Sequence, residues 1–161
     1  MMLVVITCLV LEVACIQAAA VRIIPIPPRE HGYNQFDSRV ILSQVELDAF
    51  LENISTVQAA MWNNRAQFIA AITQARIDFS NENLVLIRHT EGSGSVRLAI
   101  SEPVVEGHAL VFEINRQAPD IRTADMAYYC YALVVGKAVA TVEIKIDDRP
   151  VTVLPINNSV E

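Results

Sequence analysis

The spacing of apolar and polar residues changes near residue 77, from a helical period before it to a period of two after it. The tetrad Ser43-Gln44-Val45-Glu46 is typical of a capping box, in which a serine hydroxyl and a glutamate each bind a free amide at a helix start. We expect a short helix from there to about Leu51 and a second helix over residues 64–76. The residues expected to face inward are Val45, Phe50 and Leu51 in the first helix and Ala66, Phe68, Ile69, Ile72 and Ala75 in the second.

The remainder of the chain has the alternation of β-strands separated by turn residues. The predicted strands cover residues 84–90, 95–101, 109–115, 126–135, 139–146 and 151–154. The turn at Gly92-Ser93-Gly94 predicts that the first two strands form a hairpin, because glycine enters the positive-φ region of a tight turn without steric cost. The strand at residues 126–135 is apolar on both faces, which indicates a central strand covered on each side.

This order of elements predicts an α+β fold: an antiparallel β-sheet or small sandwich of five to six strands, with two N-terminal helices packed against it. We expect one such domain over residues 39–156, followed by a tail at residues 157–161. Residues 21–38 form a lead-in whose three prolines favour an extended chain over a helix. Its isoleucines, Ile23, Ile24 and Ile26, can dock as an edge strand.

The first twenty residues are almost entirely apolar and end in Ala18-Ala19-Ala20, a pattern typical of a secretory signal with a small-residue cleavage site. The segment lacks a basic residue before Arg22, and Glu12 interrupts its apolar run. An uncleaved membrane anchor, a lipid attached at Cys15 and a segment buried in the core are the alternatives. The signal, anchor and lipid interpretations each predict an extracytoplasmic protein, either periplasmic, secreted or anchored to the membrane through this segment alone.

Charge and composition exclude some function classes. The chain has 12 basic and 18 acidic residues, and the basic ones are scattered singly, so no nucleic-acid footprint is present. The three histidines show no metal-ligand spacing, and no cofactor motif occurs, so we expect neither a metal nor a cofactor. Removal of the signal would leave Cys130 alone, which excludes an intramolecular disulfide. We expect Cys130 to be a small buried hydrophobe rather than a reactive thiol.

The most concentrated polar patch of the strand region lies at the predicted hairpin tip. Its candidate binding residues are Arg88, His89, Glu91, Ser93 and Ser95. Loop tips on a rigid scaffold often carry function, although a Gly-Ser turn selected only for backbone freedom is the competing interpretation. Asp125 is a second candidate, as a buried carboxylate that ties down loop amides. No catalytic residue is assigned, since Ser93 and Ser95 lack the strand-turn-helix context of a nucleophile elbow.

Several segments together resemble a known family. They are Arg39-Val40-Ile41 with Ser43 and the helix after it, Ile77-Asp78-Phe79 leading to Leu84-Val85-Leu86-Ile87, the glycine-containing tip, and the strand at residues 127–135 followed by Lys137. Over residues 39–146 the chain resembles the PrcB-like family, small exported proteins named for an accessory subunit of a surface protease complex. The family's tip is typically Thr-Gly-Gly-Tyr-like, whereas this chain has Ser93-Gly94-Ser95. The resemblance implies an extracytoplasmic, non-catalytic helper that stabilises or docks onto another protein.

The sequence therefore predicts an exported, non-enzymatic accessory or protein-binding domain, whose partner is another exported protein such as a protease. Two alternatives belong to other classes. One is a hydrolase whose site is assembled from distant residues such as His89, Glu91 and Asp125. The other is a small-ligand binder with a cavity between helix and sheet.

Overall fold

The computed structural model describes residues 21–156, which form nine strands and two α-helices. The strands are β1 (Val21–Ile24), β2 (Arg39–Ile41), β3 (Glu82–Glu91), β4 (Arg97–Ile100), β5 (Val104–Glu106), β6 (Ala109–Gln117), β7 (Ala127–Gly136), β8 (Thr141–Ile146) and β9 (Arg149–Pro155). The helices are α1 (Gln44–Thr56) and α2 (Arg65–Gln74), and neither is long and apolar enough to cross a membrane. The predicted signal or anchor at residues 1–20, the lipidation at Cys15 and the tail at residues 157–161 lie outside the described residues.

The strands form two sheets. The first sheet has the order β1-β7-β3-β2 and is antiparallel throughout. The second sheet has the order β4-β6-β8-β9, with β5 also paired to β6. In this second sheet β6 and β8 run parallel, with Phe112 opposite Ile144. The chain can join two parallel neighbours here because β7, which lies between them in sequence, belongs to the other sheet.

The two sheets and the helices make three layers, with the first sheet in the middle. Along β3, Leu84 and Leu86 belong to the apolar layer between the sheet and the helices. Val85 and Ile87 belong to the layer between the two sheets. Successive side chains of a strand point to opposite faces, so a strand covered on both sides needs an unbroken apolar run. The same holds for β7, which confirms the prediction of a central strand at residues 126–135.

The helix-side layer is an aromatic cluster. It contains Tyr33, Phe36, Phe50, Trp62 and Phe68, all buried and in mutual ring contact. Trp62 and Phe68 have ring centroids 5.1 Å apart, and Tyr33 and Trp62 meet edge to face at 5.3 Å. Edge-to-face and tilted pairs add about 1 kcal/mol each beyond the burial of area, so this layer contributes strongly to stability.

The predicted fold class is wrong in three respects. The described residues form nine strands in two sheets rather than five to six, and they are mostly β. The helices are not N-terminal, because β1 and β2 precede them in the chain. One strand pair is parallel. The strands that were not counted, β2 and β5, have only three residues each, too few for a period of two to be recognised. The expectation that isoleucines of the lead-in form an edge strand is confirmed by β1.

The predicted hairpin at Gly92-Ser93-Gly94 is also wrong. Both sides of β3 are already paired, with β2 and β7, so β4 finds no edge there and joins the second sheet. The turn carries the chain from one sheet to the other. Neither Gly92 nor Gly94 has a positive φ; among the described glycines only Gly107 does, at 62°.

The capping box at the start of α1 is confirmed. The Glu46 amide donates to Ser43 Oγ at 3.2 Å, and the Leu42 amide donates to the Glu46 carboxylate at 2.8 Å. The helix continues to Thr56, beyond the predicted end. Phe50 is buried as expected, but Val45 is 78% exposed, so its prediction as an inward residue is wrong. Val45 precedes the first buried turn of the helix and lies on its solvent side.

Candidate functional site

Polar residues close one end of the layer between the two sheets. On β3, His89 and Glu91 continue the face that carries Val85 and Ile87, since all four are separated by even steps. On β6, Arg116 continues in the same way the face of Leu110, Phe112 and Ile114. The two sheets therefore meet through apolar side chains along most of their length and through charged side chains at this end.

We call His89, Glu91, Arg116 and Asp147 the Glu91 cluster. Arg116 donates through Nε and Nη2 to the two carboxylate oxygens of Glu91, at 2.6 and 2.8 Å. Nε2 of His89 lies 2.7 Å from Glu91 Oε1. The amide of Arg116 donates to Asp147 Oδ1 at 2.8 Å, which links β6 to the turn after β8. A bidentate arginine–carboxylate pair is the strong form of such an interaction, and here Glu91 is only 4% exposed.

The electrostatics of this cluster favour an anchoring role for Glu91. The hydrogen bond from Arg116 holds the pKa of Glu91 below its ordinary value and outweighs the effect of burial, which acts in the opposite direction. The same contact raises the pKa of Arg116. A carboxylate with a lowered pKa and both oxygens engaged is a weak proton acceptor. A cavity of about 580 Å³ adjoins the cluster, and Arg149 and Val151 of β9 also line it.

The serines of the predicted tip belong to a separate group of contacts, which we call the turn cluster: Ser93, Gly94, Ser95, Thr123 and Asp125. The Ser95 amide donates to Thr123 Oγ1 at 3.1 Å, and Ser93 and Ser95 share a hydrogen bond of 2.8 Å between their hydroxyls. The Gly94 amide donates to Asp125 Oδ1 at 3.1 Å. Asp125 thus ties down a loop amide as expected, but its side chain is 55% exposed and not buried.

The structure divides the candidate residues among three places. His89 and Glu91 are in the Glu91 cluster, and Ser93, Ser95 and Asp125 are in the turn cluster. Arg88 lies on the helix side of the first sheet, where it pairs with Asp37 at 2.8 Å. Of the three residues proposed for a hydrolase, only His89 and Glu91 are in contact, since Asp125 binds Gly94 and Arg29.

A different feature, the edge of the first sheet at β1, was not singled out as a site by the sequence. Strand β1 is paired only with β7, and its other side has no strand partner among residues 21–156. Between β1 and β4, which is the edge of the second sheet, runs a cavity of about 820 Å³. We call it the β1–β4 groove; its floor is formed by Tyr129, Cys130, Tyr131 and Ala132 of β7.

A second groove lies on the other face of β1. This β1–α2 groove has a volume of about 530 Å³, and its far wall is formed by Gln67, Ala70, Ala71, Gln74 and Ala75 at the side of α2. Ile23 and Ile24 line both grooves. Ile23 is 44% exposed although it is aliphatic and lies in a strand. Within residues 21–156, the free edge of β1 is therefore flanked by a recess on each face of the sheet. The β1–β4 groove is mainly apolar, whereas Arg22, Gln67 and Gln74 contribute polar groups to the β1–α2 groove.

Comparison of the chain with protein-family models, curated proteins and solved structures finds no match. The resemblance to the PrcB-like family therefore stays a prediction, and function has to be argued from the geometry of this chain alone.

Arg116 and Asp147 were missed at the sequence level. The alternation of buried residues along β6 contained a signal for Arg116, because Arg116 follows Leu110, Phe112 and Ile114 at steps of two. Asp147 gave no such signal, since it acts from a turn with a positive φ of 49°, where its carboxylate reaches the amide of another strand. The edge at β1 can be recognised as a site only when the order of strands in the sheet is known. That order depends on residues more than a hundred positions away.

The Cys130 side chain is buried as expected, with 1% exposed, and burial raises the pKa of its thiol well above the ordinary value. We therefore expect no alkylation of Cys130 in the folded protein, because the reactive species is the accessible thiolate. Iodoacetamide treatment at pH 8, followed by mass spectrometry of the Cys130 peptide, should show modification only when denaturant is added. Modification at equal rates with and without denaturant would contradict the buried position.

Proposed function

We propose that this chain is a non-enzymatic accessory domain that binds another protein through the open edge of β1. The observation that carries the proposal is a strand edge that has no strand partner among residues 21–156 and has a groove on each of its faces. The β1–β4 groove is mainly apolar. The free side of an edge strand presents backbone donors and acceptors that an extended segment of another chain can pair with.

The two grooves fit the side chains of such an added strand. Successive residues of a strand point to opposite faces, so one set would enter the β1–β4 groove and the other set the β1–α2 groove. The four residues of β1 span about 13 Å at 3.3 Å per residue. Pro25 ends the edge because it has no amide hydrogen to donate. A pairing of this length fits a docking contact of modest strength.

The outer edges at β9 and β2 are less suited to pairing. Strand β9 carries Pro150 and Pro155 near its ends, and proline removes a backbone donor from an edge. Strand β2 has only three residues, and the guanidinium of Arg39 lies over the Phe50 ring at 5.2 Å. Natural proteins protect sheet edges by short strands, prolines and charges. Strand β1 contains no proline, and its partly exposed Ile23 lies at the edge, which supports a binding role.

The Glu91 cluster has a structural part in this proposal. Its carboxylate is saturated by Arg116 and His89, so it closes the polar end of the inter-sheet layer and holds the layers in register. We place the partner among exported proteins, such as a surface protease, because the first twenty residues have a signal pattern and because the chain resembles the PrcB-like family.

The test is to place a charge in the middle of the open edge. Peptides selected from a displayed random library against the full chain would serve as probes, and their binding would be measured by fluorescence anisotropy. We expect Ile23→Asp to weaken binding at least tenfold, because the carboxylate would have to be buried by the added strand. The melting temperature should change by no more than about 2 °C, since Ile23 is partly exposed.

The matched control is Val153→Asp on β9, an aliphatic residue that is 58% exposed on the opposite edge of the other sheet. It should leave peptide affinity unchanged. Hydrogen exchange of the complex should show slowed exchange at residues 21–24. Selected peptides that bind wild type and Ile23→Asp equally well, and that protect other amides, would show that β1 is not the binding edge.

A further inference from the structure

The grooves beside β1 have a charge opposite to that of the chain as a whole. The chain has a formal net charge of −6. Among the described residues that line the two grooves, the charged ones are Arg22, Arg29 and Arg97, and no aspartate or glutamate is present. A basic rim on an acidic protein attracts negatively charged partners to this edge and disfavours positively charged ones.

These arginines remain available to a ligand. Arg97 is exposed on β4 and takes part in no ion pair within residues 21–156. The ion pairs of Arg22 with Glu82 and of Arg29 with Asp125 are 3.6 and 3.4 Å long and lie in solvent. Exposed pairs of this kind contribute little, so a better-placed carboxylate can compete with them.

Arg29 is held in position at the wall of the β1–β4 groove. Its Nη1 donates to the Gly94 carbonyl oxygen at 2.9 Å. A Cβ atom on residue 94 would clash with the Asp125 carboxylate and would lie 2.5 Å from Nη2 of Arg29, so the absence of a side chain at Gly94 makes room for this ion pair. A planar guanidinium that is already oriented loses little freedom when it binds a carboxylate through two hydrogen bonds.

We propose that the occupant of the β1 edge is an extended protein segment with aliphatic side chains at alternate positions and a carboxylate that contacts Arg29 and Arg97. This inference rests on the proposed function of β1. The aliphatic side chains match the apolar lining at Ile23, Ile26 and Leu98, and the carboxylate matches the two arginines of the same groove. A fatty acid would also place a chain in the groove and a carboxylate at its rim, but it would leave the free backbone groups of β1 without partners.

The experiment uses the full chain and three synthetic eight-residue peptides in which valine and threonine alternate. The peptides differ only in their two terminal residues, which are both aspartate, both asparagine or both lysine. We expect the aspartate peptide to bind at least tenfold more tightly than the lysine peptide in 50 mM NaCl. The difference should shrink in 300 mM NaCl, where the screening length is shorter. Arg97→Glu should reverse the preference, and the control Arg122→Glu, an exposed arginine that lines neither groove, should preserve it.

Each outcome decides a different point. Equal affinity for the three peptides, with slowed exchange at residues 21–24, would overturn the acidic preference and leave the proposed function of β1 standing. No binding of any peptide to wild type, and no selected library peptide that protects β1, would overturn both. Displacement of the aspartate peptide by sodium decanoate, with no protection of the β1 amides in either complex, would assign the groove to a fatty acid and overturn the inference.

Discussion

Gly32→Ala should destabilise the protein by about 3 kcal/mol, because the new methyl group has no space. A Cβ atom at this position would lie 2.0 Å from Cδ2 of Trp62 and 2.1 Å from its Cγ. The indole cannot move aside, since Trp62 is 1% exposed and packed between Tyr33, Phe36 and Phe68. Relief would need a shift of the backbone at residue 32 or a rearrangement of the aromatic cluster. Urea unfolding at pH 7, followed by far-UV circular dichroism, measures the change.

Gly92→Ala is the matched control. A Cβ atom on Gly92 would meet no atom within 4 Å, and the backbone there is outside the left-handed region. We expect a change within about 0.5 kcal/mol, or a slight gain from the lower entropy of the unfolded chain. If Gly32→Ala proved as harmless as Gly92→Ala, the packing of Trp62 against the backbone of residue 32 would be refuted.

Glu91→Gln should cost about 2 kcal/mol at pH 7, because the amide keeps the size of the side chain but loses the charge. Its NH₂ group would also face the donors of Arg116 in place of an acceptor oxygen. The partial exposure of Arg116 keeps the cost below that of a fully buried ion pair, since water can solvate the released guanidinium. Glu52→Gln, at an exposed position of α1, is the control and should have almost no effect.

The difference between wild type and Glu91→Gln should depend on pH. The folded state lowers the pKa of Glu91, so the stabilisation from its charge is fully present above the pKa of the unfolded chain. It is lost as the pH falls through the lowered pKa of the folded state. Urea titrations between pH 7 and pH 3 should therefore show the two stability curves converging at the acid end. A difference that stays constant over this range would show that Arg116 does not stabilise the Glu91 carboxylate.

Local patterns were sufficient for the features that depend on near neighbours. The capping box at Ser43 and Glu46 needs only four residues of sequence, and the helical spacing of Phe68 and Ile72 needs one turn. The double apolar face of residues 126–135 predicted a central strand, because burial on both sides leaves no polar position. These features were recovered because the physical cause and its signal lie in the same short segment.

Long-range pairing was not recoverable in this way. The turn at Gly92-Ser93-Gly94 indicates a change of direction but not which strand receives the chain, and that depends on β2 and β7 already occupying both sides of β3. The Glu91 cluster depends in the same way on which strands stack across the inter-sheet layer. The even steps from Val85 to Glu91 and from Leu110 to Arg116 fit buried faces, but no local signal shows that these two faces oppose each other.

The position of β7 has a consequence for how the chain is made. Strands β1 and β3 have their main partner in β7, which the ribosome delivers only about a hundred residues after β1. In a nascent chain that ends before residue 127, β1 has no strand of its sheet to pair with. The proposed binding edge therefore forms only in a chain that includes β7, so a partner that binds this edge would discriminate such chains from nascent or truncated ones that lack β7.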